Sequence, residues 1–209
     1  MSIKISYKKV ISEKIIKNYV LFSNDEFKIN GFNKLSLNKN SNQINKTINS
    51  NKSPKKEIIS FNLNPEQKII LIKIKKTQTT TDNEKNGANF YNYIKSNSLK
   101  NLTFYDNNIT ETQTNKNFID EFLHGMQLKS YEFNKYKTKK EIINININII
   151  FKNKLPTKIK NNRFNSLLEG TNFTKDLVSE PGNILHPDEY ARRITKLRKF
   201  GLKVTVYDK

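Results

Sequence analysis

Residues 170–208 read GTNFTKDLVSEPGNILHPDEYARRITKLRKFGLKVTVYD, and the punctuation in that stretch decides the fold class. Just upstream, Phe164, Leu167, Leu168 and Thr171 recur at helical spacing, and Leu177 and Val178 carry the apolar stripe onward. Pro181-Gly182 stops this helix, because proline lacks an N–H and biases the residue before it away from helical backbone. A second helix opens at Pro187, with Asp188 and Glu189 in its positive first turn. Tyr190, Ile194 and Leu197 are expected to form its buried face, and Gly201 its C-terminal cap. Leu202, Val204 and Val206 then alternate with Lys203, Thr205 and Tyr207, which predicts a strand. A helix followed by a strand is the first step of an α/β layer. Such a strand needs neighbours for its N–H and C=O groups. It is expected either to join a sheet made earlier or to open something longer.

Working back toward the N-terminus, Ile3, Ile5 and Tyr7 alternate as a first strand, and Tyr19–Phe22 is a buried strand that ends at Ser23-Asn24-Asp25. Residues 38–56 are polar and biased, and read equally as a weak helix around Ile44 and Ile48 or as a mobile connection. Ile58, Ile59, Phe61 and Leu63 predict a third strand, and Ile69 to Ile74 the most hydrophobic one, a candidate for the sheet centre. Residues 77–89 are turn-like and lead into a helix with Phe90, Tyr93 and Ile94 on one side. Leu102, Phe104 and Tyr105 form a short strand, 106–117 a loop, and 118–133 a clear helix in which Gly125 marks close backbone packing. In residues 139–151 isoleucines 143, 145, 147 and 149 alternate with asparagines, a strand with one buried face. Strands alternating with helices give an α/β domain whose edge falls at Leu155-Pro156.

The bulk numbers exclude several classes. With 209 residues the chain has room for one large domain, or one domain and a fragment of another. There is no cysteine, hence no disulfide frame and no thiolate chemistry. No apolar run reaches transmembrane length, and the N-terminal residues lack a signal-peptide core, so a cytoplasmic protein is expected. The net charge of +19 raises the question of nucleic acid, yet residues 1–100 carry +12 and residues 101–209 carry +7, with no compact block. Only four of the 38 basic residues are arginine, the side chain suited to bidentate phosphate and base contacts. A solvated lysine surface is preferred over a dedicated groove.

Catalytic constellations are not legible. His124 and His186 are far apart and belong to no ligand-spaced cluster. Each reads as a packing or capping residue, and His186, just before Pro187, could cap the second helix. Asp120/Glu121 and Asp188/Glu189 are adjacent carboxylates, which point about 100° apart on a helix. There is no GxSxG, P-loop or GxGxxG motif. No catalytic, cofactor-binding or metal residue is assigned.

Two places resemble the leucyl (cytosol) aminopeptidases. The first is Gly125-Met126-Gln127-Leu128-Lys129-Ser130-Tyr131-Glu132-Phe133-Asn134-Lys135-Tyr136-Lys137-Thr138, similar to that family's small-residue helix followed by Tyr-x-Phe-x-x-Tyr-Lys-Thr. The second is Lys175-Asp176-Leu177-Val178, Glu180-Pro181-Gly182-Asn183-Ile184-Leu185, Pro187 and Ala191, followed by Gly201-Leu202-Lys203-Val204-Thr205-Val206-Tyr207-Asp208. Lys175 stands where the family usually has Arg, His186 where it has Thr, and Lys73-Ile74-Lys75 where Gly-Leu-Gly is typical. The resemblance implies a mixed-sheet, macro-like N-terminal domain over 1–156, a linker helix over 157–182, and at 183–209 the first helix–strand of a second, catalytic α/β domain. It also implies a two-metal peptidase using Mn or Zn, assembled as hexamers, whose ligand motifs lie beyond residue 209. The leading expectation is therefore an N-terminal piece inactive alone. The alternatives are one half of a split metalloaminopeptidase, docking its partner on Leu202–Tyr207, and a lysine-rich polyanion-binding module.

Overall fold

The computed structural model describes residues 2–9, 12, 15–53, 55–138, 144–151 and 158–207. Among these residues six strands form one sheet in the order β1-β6-β5-β2-β4-β3. They are β1 (Ser2–Lys8), β2 (Asn18–Ser23), β3 (Ile58–Asn62), β4 (Lys68–Lys73), β5 (Asn101–Tyr105) and β6 (Asn144–Ile150). All neighbours run parallel except β3, which lies antiparallel on the edge against β4. The mixed α/β class read from the sequence is the class observed.

β2 and β4 are apolar on both faces because both faces are covered. On one side Val20, Phe22, Ile70 and Ile72 join Phe104 and Ile145, Ile147 and Ile149 of β6 beneath helices α2 (Thr80–Ser96) and α4 (Phe118–Lys129). Phe22 sits at the centre, edge-on to Phe118 and Phe122 at 5.0 and 5.3 Å. On the other side Tyr19, Leu21, Ile69 and Leu71 pack under α1 (Ser41–Asn51) and the short turns before it. The weak helix around Ile44 and Ile48 thus forms, because those two residues are buried on this face. β6 keeps the strict alternation, with Ile145, Ile147 and Ile149 buried and Asn144 and Asn146 exposed. Ile143 and Leu155-Pro156 lie outside the described residues.

Several expectations need correction. β4 is not the sheet centre; it is one strand in from the β3 edge, and β5 and β2 form the middle. Residues 77–89 are mostly helix. Thr79 and Asp82 cap each other's backbone reciprocally, and the polar sequence that follows faces solvent apart from buried Asn83 and Gly87. Residues 106–117 contain helix α3 (Asp106–Thr112), organised around buried Asn108 and Ile109. The helix expected over 118–133 ends at Lys129, and residues 131–134 leave it without regular structure. Gly125 does mark close packing: a Cβ there would stand 2.0 Å from the Glu84 carbonyl oxygen on α2, and one on Gly87 would stand 1.9 Å from that of Phe122.

The C-terminal stretch departs most. Helix α5 (Lys158–Ser179) ends before Pro181 as read, and α6 (Pro187–Thr195) begins at Pro187. Gly201 closes the following 3-10 turn (Lys196–Phe200) with φ of 85°. However, no residue of α6 is buried, and Tyr190 is 48% exposed. Leu167 and Val178 of the α5 stripe also face solvent, while Leu177 is buried. Residues 202–207 are not a strand. Their alternation is real, but no described strand pairs with them, and Leu202, Val206 and Tyr207 are exposed. Period-2 patterning makes a strand only where a ladder exists to receive it.

Candidate functional site

The two stretches that carry the resemblance meet in space. The loop after α4 lies against the end of α5, and a run of polar contacts joins them. The Lys175 ammonium donates to the Leu128 carbonyl at 2.9 Å and stands 5.1 Å from the centre of the Tyr131 ring. The Tyr131 hydroxyl donates to Asp176 at 2.7 Å. Lys175 therefore works at the C-terminus of α4, where unpaired carbonyls favour a cation.

Glu180 is the hub. Its side chain is only 1% exposed although both its neighbours in sequence are open to solvent. The Lys135 ammonium and the Tyr136 hydroxyl both donate to it from the loop, and Arg193 Nη1 donates from α6 at 2.9 Å. These contacts, Lys135 first and Tyr136 next, hold the Glu180 carboxyl at about 2. Arg193 also donates from Nε to Glu189 at 2.8 Å, an i,i+4 pair. Arg192 and Arg193 together bring Glu189 down to about 2. Phe133, Phe173 and Leu177 wall a cavity of about 370 Å³ beside the hub. The local sequence explains the arrangement: Pro181 ends α5, its carbonyl accepts from Ile184 and Leu185 at 2.9 Å, and this turn folds α6 back onto Glu180.

The residues weighed from sequence fall elsewhere. His124 is buried, with Nδ1 2.8 Å from Glu84 Oε1 and its ring 5.2 Å from Phe164, so it packs as read. His186 occupies the N-cap position of α6 but makes no side-chain cap hydrogen bond. Glu121 accepts from Thr80, Asn83 and Asn115 and ties α4 to the start of α2. Asp120 instead lines a cavity of about 250 Å³ with Tyr7, Gln127 and Asn165. Burial, with Asp120 adding to it, raises the Tyr7 hydroxyl to about 12. The two neighbouring carboxylates thus serve different surroundings, as their angular separation requires.

The crevice outside the carboxyl ends of the parallel strands is where open α/β sheets bind ligands. Here Asn108 fills it. Its Oδ1 accepts from the Phe22 N–H at 2.6 Å, and its Nδ2 donates to the Phe22 and Asn30 carbonyls at 2.9 and 3.0 Å. The amide acts as one more rung on β2 after β5 has ended. Next to it Ile74 is buried, its N–H bonds the Ser23 carbonyl, and Gln113 donates to the Lys75 carbonyl. In the Lys73-Ile74-Lys75 segment Ile74 is thus packed into the core, while Lys73 is half-buried and Lys75 exposed.

Among the described residues no group of three or more His, Asp or Glu side chains converges. The two carboxylates of the hub do not fit a metal ligand set: Glu180 and Glu189 are already saturated by Lys and Arg. Among the described residues no helix is long and apolar enough to cross a membrane.

Comparison with known proteins gives the relationship. No family model matches the sequence. A probable cytosol aminopeptidase of Rhodopseudomonas palustris (strain BisA53) is 36% identical over 88 residues, 40% of this chain and 18% of the relative. One of Persephonella marina is 36% identical over 92 residues, 41% of this chain and 18% of the relative. A tomato leucine aminopeptidase mutant superposes with a TM-score of 0.67 at 16% identity, over 95% of this chain and 42% of that one. The chain is related to the N-terminal portion of the cytosol aminopeptidases. The cytosol aminopeptidase of Coxiella burnetii shares the fold with a TM-score of 0.63 at 12% identity, over 97% of this chain and 40% of its own. The matched segment spans about a fifth of the curated cytosol aminopeptidases, and this fold about two fifths of the solved ones.

Sequence reasoning had both halves of the hub in its two resembling stretches, but not their meeting. Arg193 was not singled out, and nothing in the sequence announces its reach to Glu180.

Proposed function

We propose that this chain provides the non-catalytic α/β domain and linker helix of a leucyl-aminopeptidase-like protein. On this reading residues 1–156 are the domain, 157–182 the linker, and 183–209 the entry to the catalytic part. Two divalent cations, manganese or zinc, would be held by residues that 1–209 do not contribute. Peptide hydrolysis by such a pair requires convergent acidic ligands that polarise the carbonyl and activate water. The observation that carries the reading is the hub at Glu180, where the Tyr-x-Phe-x-x-Tyr-Lys loop and the Lys-Asp-Leu-Val segment hold each other in place. The test is hydrolysis of a leucyl chromogenic substrate by the purified 209-residue protein with Mn²⁺ or Zn²⁺ added. No turnover above the metal-only background is expected; turnover proportional to protein would overturn the reading.

A split metalloaminopeptidase is the second reading, and one observation favours it. Residues 202–207 present an alternating apolar edge, exposed at Leu202 and Val206, which a strand of another chain could pair. Its test is recovery of activity when the chain is mixed with a separately produced catalytic domain of a related aminopeptidase. The polyanion-binding reading rests on the net charge of +19 alone.

A further inference from the structure

Residues beyond Ser179 are attached to the body without a fully buried apolar side chain. Leu185, Ala191, Ile194 and Leu197 are half-buried, while Phe200 and Leu202 are 67% and 55% exposed. Hydrophobic attachment scales with the apolar area removed from water, so it is only partial here. The Arg198 guanidinium donates to the Val204 carbonyl, but that contact lies within the segment itself. Among the described residues the charged link to the body runs through one carboxylate. Arg193 reaches Glu180 from α6, and Lys135 and Tyr136 reach the same group from the loop after α4. By contrast α5 is anchored independently, through buried Leu177 and through Lys175 on the Leu128 carbonyl.

We propose that Glu180 is a latch: its carboxylate fastens residues 183–207 to the 131–137 loop, and neutralising it lets that segment swing free as a unit while the sheet stays folded. Charge-assisted hydrogen bonds to a covered carboxylate are stronger than neutral ones, so removing the charge weakens three contacts at once. The segment that moves includes Leu202–Tyr207, so the latch sets where that apolar edge is presented.

Hydrogen exchange followed by mass spectrometry on the full chain tests this. Glu180→Gln keeps the shape and one acceptor oxygen; Arg193→Gln removes the link from the α6 side. Both should speed exchange of amides in 184–200 about tenfold or more, leaving β2 and β4 unchanged. The double variant should be no faster than the faster single one, because both act on one link. Unchanged exchange in Glu180→Gln would overturn the latch. So would acceleration shared equally by β2 and β4, which would make Glu180 part of the core fold, and so would additive effects in the double variant.

Discussion

Asn108 illustrates what a single side chain does in this molecule. It is fully buried and serves three backbone groups, the buried N–H and C=O of Phe22 and the half-buried C=O of Asn30. Asn108→Ala leaves the Phe22 N–H and C=O unpaired, and each buried orphan costs about 1–3 kcal/mol. We expect a loss on the order of 2–4 kcal/mol in urea denaturation. Asn108→Asp should be worse near neutral pH, because a second oxygen would then face the Phe22 and Asn30 carbonyls. Sequence reading missed this residue. It sits in DNNITETQTNKN, whose polar composition reads as loop, and the need for a buried amide exists only once β5 stops short of Phe22. His124 was easier: an isolated histidine on an apolar helix face reads as packing, and it packs.

At the scale of elements, α2 and α4 touch backbone to backbone through Gly87 and Gly125. Alanine in place of Gly125 would gain about 1 kcal/mol of helix propensity. The added methyl would lie 2.0 Å from a main-chain oxygen, which no rotamer change relieves. The clash wins, and we expect Gly125→Ala to lose a net 2 kcal/mol or so, with Gly87→Ala behaving alike; thermal unfolding of both checks it. The capping box is a milder case: Thr79→Ala should cost about 1 kcal/mol by the same measurement. The strands were legible because their alternation or continuous apolarity reports burial directly, as in the Ile-Asn repeat of β6. Helix α2 was cut short in the reading and α3 was read as loop, because the sequence at their starts is almost wholly polar. The strand expected at 202–207 failed for the opposite reason: its pattern is sound, but pairing is a property of two segments.

For the whole molecule, acid should loosen the C-terminal segment. The Glu180 carboxyl is depressed to about 2 from an ordinary value of 4.5. A depressed carboxyl contributes stability that is present above its unfolded value and is lost as pH falls through the folded one. The groups around it are Lys135, Tyr136 and Tyr131 from the loop, Arg193 from α6, which it shares with Glu189, and Asp176 from α5. Protection of amides in 184–200 should therefore decline between pH 4.5 and about 2, and exchange profiles across that range check it. The net charge of +19 makes a separate prediction. Any DNA binding should weaken steeply with salt and show no sequence preference, since the arginines needed for base readout are scarce.

The pairing of β1 with β6 has a consequence for how the protein is made. Ser2 lies opposite Asn144, so the strand of this sheet that is synthesised earliest is among the last to find its place. At about 5–20 residues per second, Ile3 and Ile5 wait roughly 7–30 seconds for their partner strand to be synthesised. During that interval the nascent chain carries an unpaired strand with lysines at positions 4, 8 and 9. Those charges guard a newborn edge against pairing with a neighbouring chain before its own partner arrives.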